Sequence, residues 1–220
     1  MFRDRQSNYY GVFSRHTVSS KTSIVMNAGV NQDLYDQTTA LDRTTYRAST
    51  GLRWNVTDLT VGELQAGYQY LRFDNVNSGQ FRRTSDSFGR FFFMGNMSWT
   101  PTPFLTVALQ GFRSFQQTVV NNSLFFTATG TNLSAVHTLT DSTDATLNFG
   151  LENDDFDSVG GTAANQSRVD LVKSVAIGVR YRTVKWAGAG LQYVFEDRDS
   201  NVDQFKYYAN TVMLSLQATF

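Results

Sequence analysis

The chain has 220 residues, with 19 basic residues (four Lys, fifteen Arg), 19 acidic residues (three Glu, sixteen Asp) and no Cys. The balanced charge excludes a basic footprint for nucleic acid, and the lack of Cys excludes disulfides, thiolate metal sites and Cys nucleophiles. Lys and Glu favour helices whereas Asp favours turns, and no stretch is apolar for long enough to form a transmembrane helix. The composition therefore indicates an all-β chain.

Apolar and polar residues alternate along most of the chain, which is typical of strands with one apolar and one polar face. The segment 46–54, for example, has Tyr, Ala, Thr, Leu and Trp on one face and Arg, Ser, Gly and Arg on the other. No segment has a convincing helical period, and the region from Gln116 to Leu133 has the least regular pattern. In chain order, the alternation predicts about eleven strands, at residues 8–17, 22–32, 43–54, 60–73, 86–99, 104–116, 126–139, 144–153, 168–182, 187–197 and 205–220.

Short and long connections alternate between these strands. A meander with short turns at one end and long loops at the other is typical of outer-membrane barrels, and strands of this length can cross a hydrocarbon core at a tilt. The short connections lie near residues 19–21, 55–58, 100–103, 140–143 and 183–185, and the long ones near 33–42, 74–85, 117–125, 154–167 and 198–204.

Two soluble architectures share this alternation. A β-sandwich normally has shorter strands, whereas a lipocalin-like barrel places its apolar residues inside, around a ligand. A membrane barrel inverts that arrangement and carries aromatic residues at the membrane interface. The inverted arrangement is favoured by a very polar second face and by a predicted aromatic girdle beside the short turns, formed by Trp54, Trp99, Phe104 and Trp186.

The C-terminal segment has the pattern of an insertion signal. Its alternating apolar residues and terminal Phe resemble the β-signal by which the barrel-insertion machinery recognises bacterial outer-membrane proteins, although chance alternation in an edge strand is the plainer alternative. The residues of this signal are Val212, Leu214, Leu216, Ala218 and Phe220.

The last fifty residues carry a more specific resemblance. The segments 178–182, 193–201 and 210–216 resemble the end of the putative β-barrel porin family that is linked to exopolysaccharide export. This resemblance implies a bacterial outer-membrane location and passage of exopolysaccharide. It covers about a quarter of the chain well, and upstream of these segments only the general meander is similar.

The strand number raises the question of completeness. Single-chain bacterial barrels normally have an even number of strands with both ends in the periplasm, and about eleven strands do not satisfy that rule. Residues 1–8 also lack the pattern of a secretory leader. We therefore expect a single barrel domain over residues 1–220 with eleven or twelve strands, and we favour the interpretation that it is the C-terminal part of a larger barrel.

If the apolar face meets lipid, the other face lines the lumen. Its side chains suit a hydrated passage with mild anion preference or hydrogen bonding to a polar polymer, but Arg–Glu pairing inside a narrow barrel is the plainer interpretation. The predicted pore-lining residues are Arg47, Arg53, Glu63, Gln65, Gln69, Arg90, Asn96, Gln110, Asn148, Glu152, Arg180, Arg182, Gln192 and Glu196.

Phe92 and Met94 interrupt this polar face. Large apolar groups that point inward suggest contact with a plug, an inward-folded loop or a partner. A bulge or a register error is an equally good explanation.

Residues that would indicate an enzyme or a cofactor are largely missing. His16 and His137 lie far apart and lack metal-ligand spacing, so we expect neither a catalytic residue nor a cofactor. One segment is a weak candidate for a divalent-cation site. Oxygen-bearing side chains occupy alternate positions, as in the first half of a calcium loop, but the Gly and Glu that complete such a loop are missing. The candidate site consists of Asp197, Asp199, Asn201 and Asp203, and a solvated loop is the plainer interpretation.

Three functional hypotheses remain open at this point. The first is a hydrated passage for polar solutes or exopolysaccharide. The second is a structural sheath around a partner such as a multihaem electron conduit, and the third is an enzyme with an active site at the rim. The expected partners are outer-membrane lipid, lipopolysaccharide and the insertion machinery, with a periplasmic or lumenal protein as a further option and no nucleic acid.

Overall fold

The computed structural model describes residues 5–36, 42–57, 59–74, 87–117, 125–156, 167–184 and 187–218. These residues form eleven β-strands and a short 3-10 helix at Asp203–Phe205. The strands are β1 (Arg5–Ser19), β2 (Thr22–Tyr35), β3 (Arg43–Thr57), β4 (Thr60–Phe73), β5 (Ser87–Thr102), β6 (Leu105–Gln117), β7 (Phe125–Thr140), β8 (Thr143–Phe156), β9 (Arg168–Val184), β10 (Ala187–Ser200) and β11 (Tyr207–Ala218).

All eleven strands belong to one antiparallel sheet, in which each strand pairs with its neighbours in the sequence. This confirms the predicted all-β meander and its strand number, including β6 and β7, which cover the least regular region of the sequence. Within the described residues, β1 and β11 each pair on one side only, so the sheet is open and these strands form its two edges. No helix in the described ranges has the length and apolar character needed to cross a membrane.

Four of the short connections share a local hydrogen bond that shapes the turn. At Ser19, Thr57, Thr102 and Thr140 the hydroxyl accepts the N–H of the residue two positions later, at 3.2–3.4 Å. Such bonds are typical of Ser and Thr in tight turns. The register of each of these hairpins also shifts beside its turn, and such bulges bend and twist the paired strands. We call this end of the sheet the turn end and the opposite end the loop end.

The two faces of the sheet differ in curvature. Side chains reach across an intervening strand most readily on a concave face, and three such contacts are found on one face. They link β2 with β4, β3 with β5, and β8 with β10, through the pairs Asn27–Gln65, Arg47–Phe92 and Asp154–Arg198.

The convex face carries large apolar side chains that are open to the surroundings. Leu64, Ile177 and Leu191 are 51, 52 and 56 % exposed, and the register places all three on this face. A soluble barrel or sandwich would bury such residues in its interior. A transmembrane barrel has exposed apolar residues on its outside and polar residues on its inside. The apolar face of this sheet is therefore the lipid-facing one.

A buried apolar cluster lies at the loop end, where the ladder between β5 and β6 ends early. That ladder stops at the pair Phe93–Arg113, although β5 begins at Ser87 and β6 continues to Gln117. Aromatic rings pack beside this gap in the ladder and close it. The cluster consists of Tyr35, Leu71, Phe73 and Phe125, with Phe88 and Phe115 packed against it.

Candidate functional site

The register of the sheet places every predicted pore-lining residue on the concave face. Arg47 pairs with Gln69, and Gln69 in turn pairs with Arg90, so three strands contribute to one polar row. A second row runs from Arg53 through Glu63 to Asn96 and Gln110 on β3–β6. The others lie on β4 and β8–β10 of the same face: Gln65, Asn148, Glu152, Arg180, Arg182, Gln192 and Glu196.

At the turn end, two ion pairs lie on this face. Arg53 Nη1 lies 3.6 Å from Glu63 Oε2, and Arg182 Nη1 lies 2.6 Å from Asp144 Oδ2. Both arginines remain about half exposed, at 44 and 48 %. Arg180 stays exposed beside them. The turn end thus combines cross-strand pairing with cations that still face the lumen.

In the middle of the face, an aromatic ring crosses a glycine to reach an arginine. Phe92 is only 3 % exposed, and its ring centre lies 3.8 Å from the guanidinium carbon of Arg47, two strands away. A Cβ on Gly67 would lie 2.7 Å from the Phe92 ring and 2.1 Å from the carbonyl oxygen of Ala48, so only glycine fits beneath the ring. The β4–β5 ladder is regular here, so the inward position of Phe92 and Met94 does not come from a bulge.

Next to this stack, Gln65 connects three strands. It is 7 % exposed and its Oε1 accepts hydrogen bonds from Asn27 at 2.8 Å and Ser49 at 3.2 Å, while its Nε2 donates to Glu63. A buried amide with this many partners positions its neighbours as well as lining the face.

The loop end holds an aspartate at the β1–β3 corner. Asp33 is 2 % exposed and accepts hydrogen bonds from Arg43 Nε at 2.9 Å and Nη2 at 2.7 Å, and from the Ser7 hydroxyl. Arg5 Nε lies 3.9 Å away. Both Arg43 donors meet the same carboxylate oxygen, Oδ2, while the Ser7 hydroxyl binds Oδ1, and these charge-assisted bonds fix β2 against β3 and β1.

A second buried aspartate occupies the corresponding corner of β8–β10. Asp170 is fully buried and is bound by Arg168 and by Arg198, whose Nη1 lies 2.8 Å from Asp170 Oδ2. The Arg168 guanidinium also lies between two rings, 4.2 Å from the centre of Phe156 and 3.5 Å from that of Phe205. The 3-10 helix that contains Phe205 is thereby attached to the concave face.

These loop-end charges were not predicted, because the strands were expected to end too early. Residues 154–167 and 198–204 were expected to be loops, whereas β8 continues to Phe156 and β10 to Ser200. The alternation does continue through these segments, with Asp154, Arg198 and Ser200 inward and Asp155 outward. This continued alternation was the signal from which the longer strands could have been predicted.

The weak cation candidate, Asp197, Asp199, Asn201 and Asp203, is spread along β10 and the turn that follows it. Asp197 and Asp199 share the convex face, Asn201 bonds backbone groups of residues 167 and 169, and Asp203 lies in the 3-10 helix. The described part of the chain contains no group of three or more His, Asp or Glu side chains that could hold a metal ion.

Lysines neutralise these carboxylates instead. Lys173 Nζ lies 3.7 Å from Asp197, and Lys206 Nζ lies 3.8 Å from Asp199 and 2.9 Å from Asp203. The hydrogen bond from Lys206 to Asp203 raises the pKa of this lysine, which lies in the loop before β11.

Two residues of the predicted girdle and the described part of the insertion signal lie on the convex face. Trp99 is 46 % exposed there at the turn end, and Trp54 packs over Gly62 on the same face. Phe104 is 58 % exposed and lies in the turn between β5 and β6. Along the edge strand β11, Val212, Leu214 and Leu216 are exposed and Ala218 ends the strand. Trp186 and Phe220 lie outside the described residues.

Comparison with known families gives one match that covers nearly the whole chain. The profile of a family described as "Putative beta-barrel porin 2" matches residues 2–220. A search of curated proteins found no match.

Solved structures with a similar fold are outer-membrane barrels. The siderophore receptor PirA from Acinetobacter baumannii has a TM-score of 0.65 at 12 % identity, over 99 % of this chain and 39 % of that one. OmpT, an outer membrane protein of Vibrio cholerae, has a TM-score of 0.46 at 11 % identity over 96 and 89 % of the two chains. The NanC porin has a TM-score of 0.44 at 9 % identity over 97 and 99 %. This chain thus spans 39 % of the length of the receptor, and that likeness concerns the fold alone.

Proposed function

Because the chain belongs to the family described as "Putative beta-barrel porin 2", whose place is the bacterial outer membrane, we propose that its concave face lines a hydrated passage for polar solutes. The observation that carries this proposal is the placement of charged and amide side chains on the concave face, opposite exposed apolar residues. Such a lumen is polar and holds water in porins.

The charges along this face support a weak preference for anions. At the loop end, buried carboxylates form ion pairs with Arg43, Arg168 and Arg198. At the turn end, Arg180 remains exposed. Exposed cations in a pore wall raise the local concentration of anions, and this effect falls with ionic strength.

We further propose that the solute is a polar polymer such as exopolysaccharide, on the basis of the sequence resemblance of residues 178–216. Gln and Asn side chains together with charged groups could exchange hydrogen bonds with passing hydroxyl groups. We propose no catalytic step for this passage. The two histidines, His16 and His137, lie on different strands of the convex face and not on the face that we propose to line the passage.

The test is conductance of the full-length protein, purified from outer membranes and inserted into planar lipid bilayers. We expect stepwise currents with a reversal potential that indicates anion preference, and uptake of neutral oligosaccharides by proteoliposomes. Arg180→Gln should reduce the anion preference, whereas Lys173→Gln on the convex face should leave it unchanged. Absence of current, together with a co-purifying haem protein, would replace the passage with the sheath hypothesis.

A further inference from the structure

Arg113 lies on the lipid-facing side of the wall, within its apolar part. On β6 the convex face carries Val107 and Leu109 on the turn-end side of Arg113, whereas Phe115, on its loop-end side, packs against the aromatic cluster at the gap in the ladder. On β5 the direct neighbour of Arg113 is Phe93. With a rise of about 3.3 Å per residue and a tilt near 45°, Arg113 stands roughly 20 Å from the turn-end start of β6, near the far edge of an apolar band about 25 Å tall.

The neighbours of Arg113 toward β8 are polar. Arg113 Nη1 donates to Thr129 Oγ1 at 3.1 Å, and Thr129 pairs with Asn153 on β8. Directly paired side chains on one face stand about 5 Å apart, so the guanidinium, the hydroxyl and the amide form one row across three strands. The Thr131 hydroxyl beside this row donates to the Gln110 carbonyl oxygen instead.

Among the described residues, no carboxylate forms an ion pair with the Arg113 guanidinium, and Thr129 is its hydrogen-bond partner. The nearest outward carboxylate in register is Asp155, one step beyond Asn153 toward the loop end. An arginine that faces lipid is costly unless it reaches the interface or meets an anion there.

The end of the wall at which Arg113 lies identifies the leaflet. The long connections emerge at the loop end, and in outer-membrane barrels the longer loops are extracellular whereas the short turns are periplasmic. Arg113 therefore faces the upper boundary of the outer leaflet, where the lipid headgroups carry phosphate. A guanidinium is well suited to phosphate because it presents several N–H donors in one plane.

We propose that Arg113, Thr129 and Asn153 form a binding site for a phosphate group of lipopolysaccharide on the outer wall of the barrel. Arg113 supplies the charge and two or more N–H donors, Thr129 fixes the guanidinium, and Asn153 adds an amide donor at the far side. The site lies on the opposite face from the proposed passage and is independent of what passes through it.

The experiment measures how much lipid A the full-length protein retains when it is extracted from outer membranes in mild detergent, by native mass spectrometry. Arg113→Gln should retain less than half as much lipid A as the wild type, and Arg113→Lys should retain an intermediate amount. Lys173→Gln is the matched control, because this outward lysine is already paired with Asp197 at 3.7 Å. It should retain as much lipid A as the wild type.

A second arm uses the wild-type protein and so does not depend on folding of a variant. Delipidated protein is incubated with vesicles that contain lipid A, enzymatically dephosphorylated lipid A or phosphatidylglycerol, and the melting temperature of its heat-modifiable form is compared. Lipid A should raise this temperature more than the other two lipids. Equal stabilisation by dephosphorylated lipid A or by phosphatidylglycerol, or equal retention by Arg113→Gln, would overturn the proposal.

Discussion

The two ends of the concave face use the same residue types in different environments. At the loop end, Arg43 and Arg168 are 15 and 12 % exposed and bind aspartates that are almost completely buried. At the turn end, Arg53 and Arg182 are 44 and 48 % exposed in their pairs. The loop end also holds the aromatic cluster around Phe125, whereas the turn end has no comparable apolar packing among the described residues.

This difference indicates a division of roles along the wall. Removing one partner from a buried ion pair leaves an uncompensated charge, so the loop-end pairs hold β1–β3 and β8–β10 together. Half-exposed pairs contribute little stability, so the turn-end pairs mainly set the charge of the lumen. Substitutions at the two ends should therefore affect different measurements.

The largest effect is expected from Asp170→Asn. The change leaves the guanidinium groups of Arg168 and Arg198 without their shared carboxylate in a buried position, and should destabilise the protein by about 3–5 kcal/mol. Urea unfolding of the protein in lipid vesicles, followed by the folded band on unboiled gels, measures it. Asp199→Asn, also at the loop end, is the control, since its carboxylate is 66 % exposed. Equal midpoints for both variants would show that the buried pairs hold the strands together no better than an exposed one.

Gly67→Ala tests the packing that lies between the two ends. The added methyl group would collide with the Phe92 ring and the Ala48 carbonyl oxygen, and the expected cost is about 1–3 kcal/mol. Gly111→Ala is a matched control, because a Cβ there would meet only Phe93 at 3.8 Å. The prediction fails if both variants unfold at the same urea concentration.

Glu63→Gln should separate stability from selectivity at the turn end. Loss of the 3.6 Å pair with the half-exposed Arg53 should change the unfolding free energy by no more than about 1 kcal/mol. The freed arginine should shift the reversal potential in planar bilayers toward stronger anion preference. A large loss of stability without a change in selectivity would assign the turn end the same structural role as the loop end.

Ionic strength should produce the smallest effect, and at the turn end alone. Raising salt from 0.15 to 1 M shortens the screening length from about 8 to about 3 Å, which weakens the influence of half-exposed charges. The selectivity difference between wild type and Glu63→Gln should shrink at high salt, whereas the stability difference caused by Asp170→Asn should persist. Reversal potentials and urea midpoints at both salt concentrations check this.

The alternation of the chain was sufficient to predict the eleven strands and the face to which each residue belongs. This worked because side-chain direction in a strand depends only on parity, so Arg47 and Glu63 share a face whatever the curvature of the sheet. The strand ends were harder to predict, because charged residues in the part of a strand beyond the apolar band resemble the residues of a loop. For this reason Asp154 and Arg198 were assigned to loops.

The sequence by itself thus determined the strand number, the two faces and the order of turns and loops, since these follow from local periodicity and turn-forming residues. Only the tertiary structure showed that the polar face is concave, because curvature appears in contacts such as Asn27–Gln65 that skip a strand. It also showed which charges pair, as with Asp170 and Arg198, and that Phe92 reaches Arg47 over Gly67. These contacts depend on register and on the approach of residues far apart in the chain, which periodicity does not contain.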